Sequence, residues 1–133
     1  MERGSRSVIA HLDTHVALWL AAGEKRRLKA VAARLRRSSL FVSPVVLVEM
    51  EVLCETGRLR APVVDVWEIL SEDHGVREAP GDIQSIGQRT RSRGWTRDPF
   101  DRFIVAHALA NDAILLTADE TIRTRCPQAR WSD

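Results

Sequence analysis

Three short, continuously apolar runs limit what this chain can fold into: "VIAHL" from Val8, "LFV" from Leu40 and "AILLT" from Ala113. A strand that is apolar at every position, rather than at alternate ones, is covered on both faces. Helical patterns separate the runs, and parallel strands need such crossovers. An α/β fold with a parallel sheet follows, although its strand order cannot be read from periodicity. In open parallel sheets, ligands bind beyond the C-terminal ends of the strands. Polar residues just after each run therefore matter most.

The intervening segments carry helix signals. "DTHVALWLAAG" reads as a helix that stops at Gly23, and "EKRRLKAVAARLRRS" as another, with Leu28, Val31, Ala32 and Leu35 at helical spacing and a basic opposite face. "SPVVLVEMEVLCETG" has Ser43 as N-cap, Pro44 at the first helical position and Gly57 past the end. A further helix is expected from near Pro62 to about Asp73, a third strand at "VREA", and a short helix from Asp82 leading into the loop "RTRSRGWTR". Asp98 is placed to cap a helix that starts at Pro99 and ends near Asn111. A short helix from about Glu120 and an edge strand at "ARW" complete the chain.

At 133 residues this is one domain, expected from residue 8 to 133 after a polar extension over residues 1–7. A domain of this length buries roughly 70% of the surface that its unfolded chain exposes. Net charge is +2, too small for a global field that demands a polyanionic partner. Lys occurs only at Lys25 and Lys29, and the other cations are Arg. Cys54 and Cys126 lack C-x-x-C spacing, which excludes the usual zinc sites and argues against a disulfide framework. No run reaches membrane-spanning length and the first residues lack a signal-peptide core, so a soluble, cytoplasmic protein with no membrane partner is expected.

Acids stand where a ligand would bind. Asp13 directly follows the first run, and Asp119 follows the third by two residues. Each is also a good helix cap, and capping alone accounts for either one. Glu49 is harder to explain, because Val45, Val46, Met50, Val52 and Leu53 surround it on its helix. A carboxylate in an apolar arc is costly to bury unless it is paired, for example with an Arg, or bound to metal. Asp101 lies one turn into the helix that Asp98 caps, where the dipole favours an anion. Two carboxylates about 4 Å apart repel by roughly 4 kcal/mol at an effective dielectric of 20. Several such pairs rival the whole stability of a small domain, on the order of 5–15 kcal/mol. If these four acids converge, shared protons or bound cations must relieve them. An all-oxygen set favours Mg²⁺, with Mn²⁺ as a substitute, and the chemistry suggested is phosphodiester hydrolysis.

Four blocks, "LDTHVALWL", "VSPVVLVEMEVLCETGRL", "RDPFDRFIVAHAL" and "AILLTADETI", resemble the PIN-domain family, and within it the VapC-type ribonuclease toxins of type II toxin–antitoxin systems. The resemblance spans nearly the whole chain. It implies a three-layer α/β/α fold with a central, mostly parallel sheet, and makes Asp13, Glu49, Asp101 and Asp119 the catalytic, metal-binding acids of a Mg²⁺-dependent endoribonuclease. It gives Thr117 a supporting role in orienting the site. It also implies an RNA substrate, a homodimer and a cognate VapB-type antitoxin that occludes the acidic pocket. Val48 stands where many relatives carry Trp.

Arg89, Arg91, Arg93 and Arg97 lead toward the acids and are candidates for phosphate contacts. His11, His15, His74 and His107 show no ligand spacing and read as structural, while Trp19 and Trp67 read as core. A catalytically silent PIN-like module that binds RNA or protein is the alternative, and the complete acid set speaks against it. A phosphoacceptor receiver domain would need a lysine after a late strand, and both lysines lie early. The phosphate-binding glycine motifs of nucleotide-dependent enzymes are absent from the sequence.

Overall fold

The computed structural model describes residues 8–132; the proposed extension over residues 1–7, and residue 133, lie outside the described residues. Five strands form one sheet in the order β3-β2-β1-β4-β5: β1 (Val8–Leu12), β2 (Ser38–Val42), β3 (Arg77–Glu78), β4 (Ile114–Leu116) and β5 (Ala129–Arg130). All four pairings are parallel. Helices flank the sheet, giving the three-layer arrangement. The central strand is β1, with Ala10 opposite Leu40 on one side and Ile114 on the other.

The helices are α1 (Thr14–Ala22), α2 (Lys25–Leu28), α3 (Ala32–Arg37), α4 (Pro44–Glu55), α5 (Val63–Glu68), α6 (Ile83–Arg89), α7 (Pro99–Ala110) and α8 (Glu120–Arg125). Gly23 ends α1 at φ 69°, where a residue with a Cβ would be strained. A π-helical turn, Ile69–Asp73, continues α5 and buries Leu70 completely. Ala10, Leu12, Val16, Val46, Met50 and Leu115 are fully buried in the core. Each large side chain among them contributes about 1.5–3 kcal/mol relative to exposure. Among the described residues no helix is long and apolar enough to cross a membrane, and both cysteines are free.

One helix departs from its sequence pattern. The stretch from Glu24 to Ser38 is not continuous, because Lys29–Val31 tightens into a 3-10 turn between α2 and α3. Leu28 and Val31 are buried and Ala32 and Leu35 only partly so, and Leu28, Ala32 and Leu35 line an open groove of about 1110 Å³ with Leu20 and Leu40. No Gly or Pro marks the break. Docking Leu28 and Val31 onto the core outweighs helix continuity.

His107 joins the two helices that carry Glu49 and Asp101. Its Nδ1 lies 2.8 Å from Ser43 Oγ at the start of α4, and its Nε2 lies 2.9 Å from the Pro80 carbonyl. A carbonyl only accepts, so Nε2 carries a proton. Asn111 Nδ2 donates to that same carbonyl and to His11 Nε2. His11 and His107 are both buried, which fits their structural reading.

Candidate active site

Asp13, Asp119, Glu49 and Asp101 come from four elements at or beside the C-terminal edge of the sheet. Asp13 leaves β1 and begins α1. It accepts from the adjacent Thr14 amide at 2.8 Å through Oδ1, rather than from the second or third helical amide as a cap does. Its Oδ2 accepts a 2.6 Å bond from the Thr117 hydroxyl. Capping therefore does not account for Asp13. Asp119 is an ordinary N-cap, accepting from the Ile122 amide at 3.0 Å. Its own amide donates to Thr117 Oγ1 at 3.0 Å, so one fully buried hydroxyl ties Asp13 to Asp119.

Glu49 projects from α4, half-buried, and its Oε1 accepts a 2.5 Å bond from the Thr14 hydroxyl. The bonds thus run from Glu49 through Thr14 to Asp13, and on through Thr117 to Asp119. Among the described residues no arginine pairs with Glu49; its hydrogen-bond partner is Thr14, and the charges of Asp13, Asp98 and His15 act on it. The apolar arc is also less complete than its spacing indicates. Val46 and Met50 are fully buried, but Val52 is 37% exposed.

Asp98 caps α7 through the amides of Phe100 and Asp101, at 2.9 and 3.3 Å. Asp101 follows one turn in, half-buried. Burial first, and then the charges of Asp98, Asp13, Glu49 and Asp119, push its carboxyl up to about 7. Burial also raises Asp13, against the bonds from Thr117 and Thr14 and the charge of His15. Glu49 is raised by burial too, and by Asp13 and Asp98, against its bond from Thr14. Asp101 is the group on which every other acid acts.

Among the described residues, no three His, Cys, Asp or Glu side chains close into a ready metal cage. The acids nevertheless share one electrostatic neighbourhood, since the charges of Asp13, Glu49 and Asp119 all act on Asp101. Their oxygens are the donors available to a hard cation.

The arginine loop leads to this edge without entering the acids' hydrogen bonds. Arg89 ends α6, Arg91 lies in the 3-10 turn Thr90–Ser92, and Arg97 directly precedes Asp98. All three are exposed, whereas Arg93 is partly buried with its Nε unpartnered. The charges acting on Asp13, Glu49 and Asp101 include none of these arginines.

Two participants escaped the sequence reading. Thr14 holds Glu49 against Asp13, and its only signal was a hydroxyl directly after an acid. His15, read as structural, is exposed, and its charge acts on both Asp13 and Glu49.

An all-parallel α/β domain with linked carboxylates at the strand ends defines a narrow class of protein. The PIN domain matches residues 10–126, and the chain belongs to the PIN-domain family. Solved structures that share the fold include three toxin–antitoxin complexes. One is VapBC2 from Rickettsia felis bound to a promoter DNA fragment, at TM-score 0.67 and 16% identity over 95% of this chain and 100% of that one. VapBC-1 from nontypeable Haemophilus influenzae gives 0.66 and 22%, over 95% and 98%. DNA-bound VapBC from Salmonella typhimurium gives 0.56 and 19%, over 95% and 98%. No curated protein sequence matches the chain.

Proposed function

We propose that this chain is a Mg²⁺-dependent endoribonuclease of the VapC type, a toxin restrained by a VapB-type antitoxin. The observation that carries the reading is Asp101. A half-buried carboxyl pushed up to about 7 by burial first, and then by four other acids gathered from four segments, is an expensive feature that a merely structural helix start does not need. Likeness in fold to three VapBC structures supports the toxin and its partner. The same resemblance leads us to expect two copies of the chain in the assembly.

The donor set suits a hard divalent cation, since all its members are carboxylates and two are braced by threonine hydroxyls. Asp13, Glu49, Asp101 and Asp119 would hold the ion, with Mn²⁺ able to replace Mg²⁺. When bound, it would polarise the phosphate and lower the pKa of water. Thr117 fixes the Asp13 carboxylate, and Thr14 fixes Glu49, so the oxygens need little reorganisation. Below about pH 7 Asp101 keeps its proton, and it would have to give it up to serve as a ligand. Arg89, Arg91, Arg93 and Arg97, on the approach to α7, serve as phosphate contacts in this reading.

Purified protein should cleave RNA with Mg²⁺ or Mn²⁺ and stop when chelator is added. Cleavage indifferent to chelator, or supported by Zn²⁺ alone, would sink the assignment. Specific RNA binding without cleavage under any divalent ion would favour the silent-module alternative. Mapping new RNA ends after induction in cells identifies the target.

A further inference from the structure

Beside the acids lies a cluster of aromatic and cationic groups that the proposed mechanism leaves unused. Trp19 is its hub. His15, one turn earlier on α1, has its ring 6.3 Å from the Trp19 ring at 51°. Trp131 packs edge-on to Trp19 at 5.9 Å and 65°. The Arg27 guanidinium carbon stands 5.1 Å from the Trp19 ring centre. Arg27 and His15 are exposed, and both indoles are partly exposed.

The topology sets two members of this cluster, His15 and Trp131, at the acidic edge, and Trp19 and Arg27 extend it away from that edge. Trp131 directly follows β5, whose Arg130 pairs with Leu116 and accepts from the Thr117 amide at 3.1 Å. It therefore leaves the sheet at the edge where Thr117 braces Asp13. His15 lies two residues past Asp13, and its charge acts on Asp13 and Glu49. Trp19 is six residues past Asp13, about 9 Å along the helix axis.

Burial alone explains Trp19, which packs against the core. It does not explain an exposed Arg held over that indole. A guanidinium stacked on an aromatic ring loses little entropy when a base covers its outer face, and its in-plane N–H groups remain free for phosphate. Paired bases cannot reach such a surface, whereas unpaired ones stack on it.

The geometry points to a subsite for an unpaired nucleotide of RNA next to the scissile phosphate, its base against Arg27 and Trp131 around Trp19, and its phosphate near His15. This rests on the ribonuclease reading for the identity of the substrate.

The test measures binding apart from cleavage. Fluorescently labelled, unstructured RNA of about ten nucleotides is titrated with the full chain in chelator, beside a duplex of equal length. Arg27→Ala and Trp131→Ala should each weaken binding of the single strand by roughly five- to 150-fold, the range expected for losing one stacked base. Arg27→Lys should lose most of the same affinity, because charge remains but the plane does not. Trp131→Phe should recover part of it, and this variant carries the test if Trp131→Ala does not fold. Arg36→Ala removes the same charge from α3 and should leave affinity within about twofold. Equal effects of Arg27→Ala and Arg36→Ala, unchanged affinity in Arg27→Ala, or no binding of single strands by the parent would each overturn the subsite. Affinity that depends on Arg27 without cleavage in Mg²⁺ would keep the subsite and remove the nuclease. Cleavage with affinity indifferent to Arg27 would do the reverse.

Discussion

Two aspartates three residues apart at the start of α7 differ in their bonds and burial. Asp98 accepts from two backbone amides at the helix start, and Asn caps about as well as Asp. Asp98→Asn should therefore cost well under ~1 kcal/mol in denaturant unfolding. It should also move the titration of Asp101 below about 7, because the Asp98 charge helps to hold it there; carboxyl NMR against pH reads this directly. Asp101→Asn should abolish metal-dependent cleavage and leave the metal-free fold as stable as the parent, or more so above neutral pH. Equal loss of cleavage in both variants, with the fold intact, would show that the division of roles is mistaken. At Glu49 the test is Glu49→Gln, which keeps an acceptor for the Thr14 hydroxyl. Cleavage should disappear while the melting temperature stays within a few degrees. Severe unfolding would instead make Glu49 a structural residue. These acids were legible because carboxylates beside apolar runs need a reason. Thr14 was not, since a buried threonine at a helix start looks like any other until its partner, 35 residues away, is in place.

Among the elements, β1, β2 and β4 were the most legible, because each lies in an apolar run, although Val8 and Ile9 at the start of β1 are exposed; β3 and β5 are two-residue strands without such a run. The caps at Ser43, Asp82 and Asp98 stand where Ser and Asp signal them. The break at Lys29–Val31 was invisible because tertiary packing, and no local signal, creates it. Another position hidden from local reading is Gly81, between β3 and α6. It has φ 151°, and an added Cβ would lie 2.8 Å from Ile86 Cδ1 and 3.1 Å from His107 Nε2. Gly81→Ala should thus disturb the bond from His107 to Pro80 and the seating of α7. An unfolding loss on the order of 1–3 kcal/mol is expected from the backbone conformation alone. A change under about 0.5 kcal/mol would mean that the α6–α7 packing yields easily.

For the molecule as a whole, stability against pH is a contest between two signs. The ordinary value of Asp101 is 3.8, and its folded value is about 7. Below 3.8 it is protonated whether folded or unfolded. Between the two values only the folded form keeps the proton, so raising the pH destabilises the metal-free protein, and the full penalty stands above about 7. Asp13 and Glu49, also raised, act in the same sense. His11 acts in the opposite sense. Burial first, and then His107, lower it from 6.5 to about 4, so stability falls as pH drops through that interval. His11→Leu should therefore make metal-free melting temperature climb more steeply from about pH 7 down to about pH 5. A slope unchanged from the parent would show that His11 takes up its proton alike in the folded and the unfolded chain. Mg²⁺ should raise the melting temperature more at about pH 8 than at about pH 5.5, because protons and metal compete for the same oxygens. A gain independent of pH would place the ion elsewhere.

The central position of β1 also governs when this molecule can first exist. Its first-made strand lies between β2 and β4, and β4 comprises residues Ile114–Leu116. A chain still emerging from the ribosome has β1 open along one side until those residues appear. Asp119 comes later still, after four of the five strands have been synthesised. Domains fold as units during synthesis at about 5–20 residues per second. The carboxylate set is therefore assembled only after Asp119 has been made, and a chain that stops short of it carries the earlier acids without the centre.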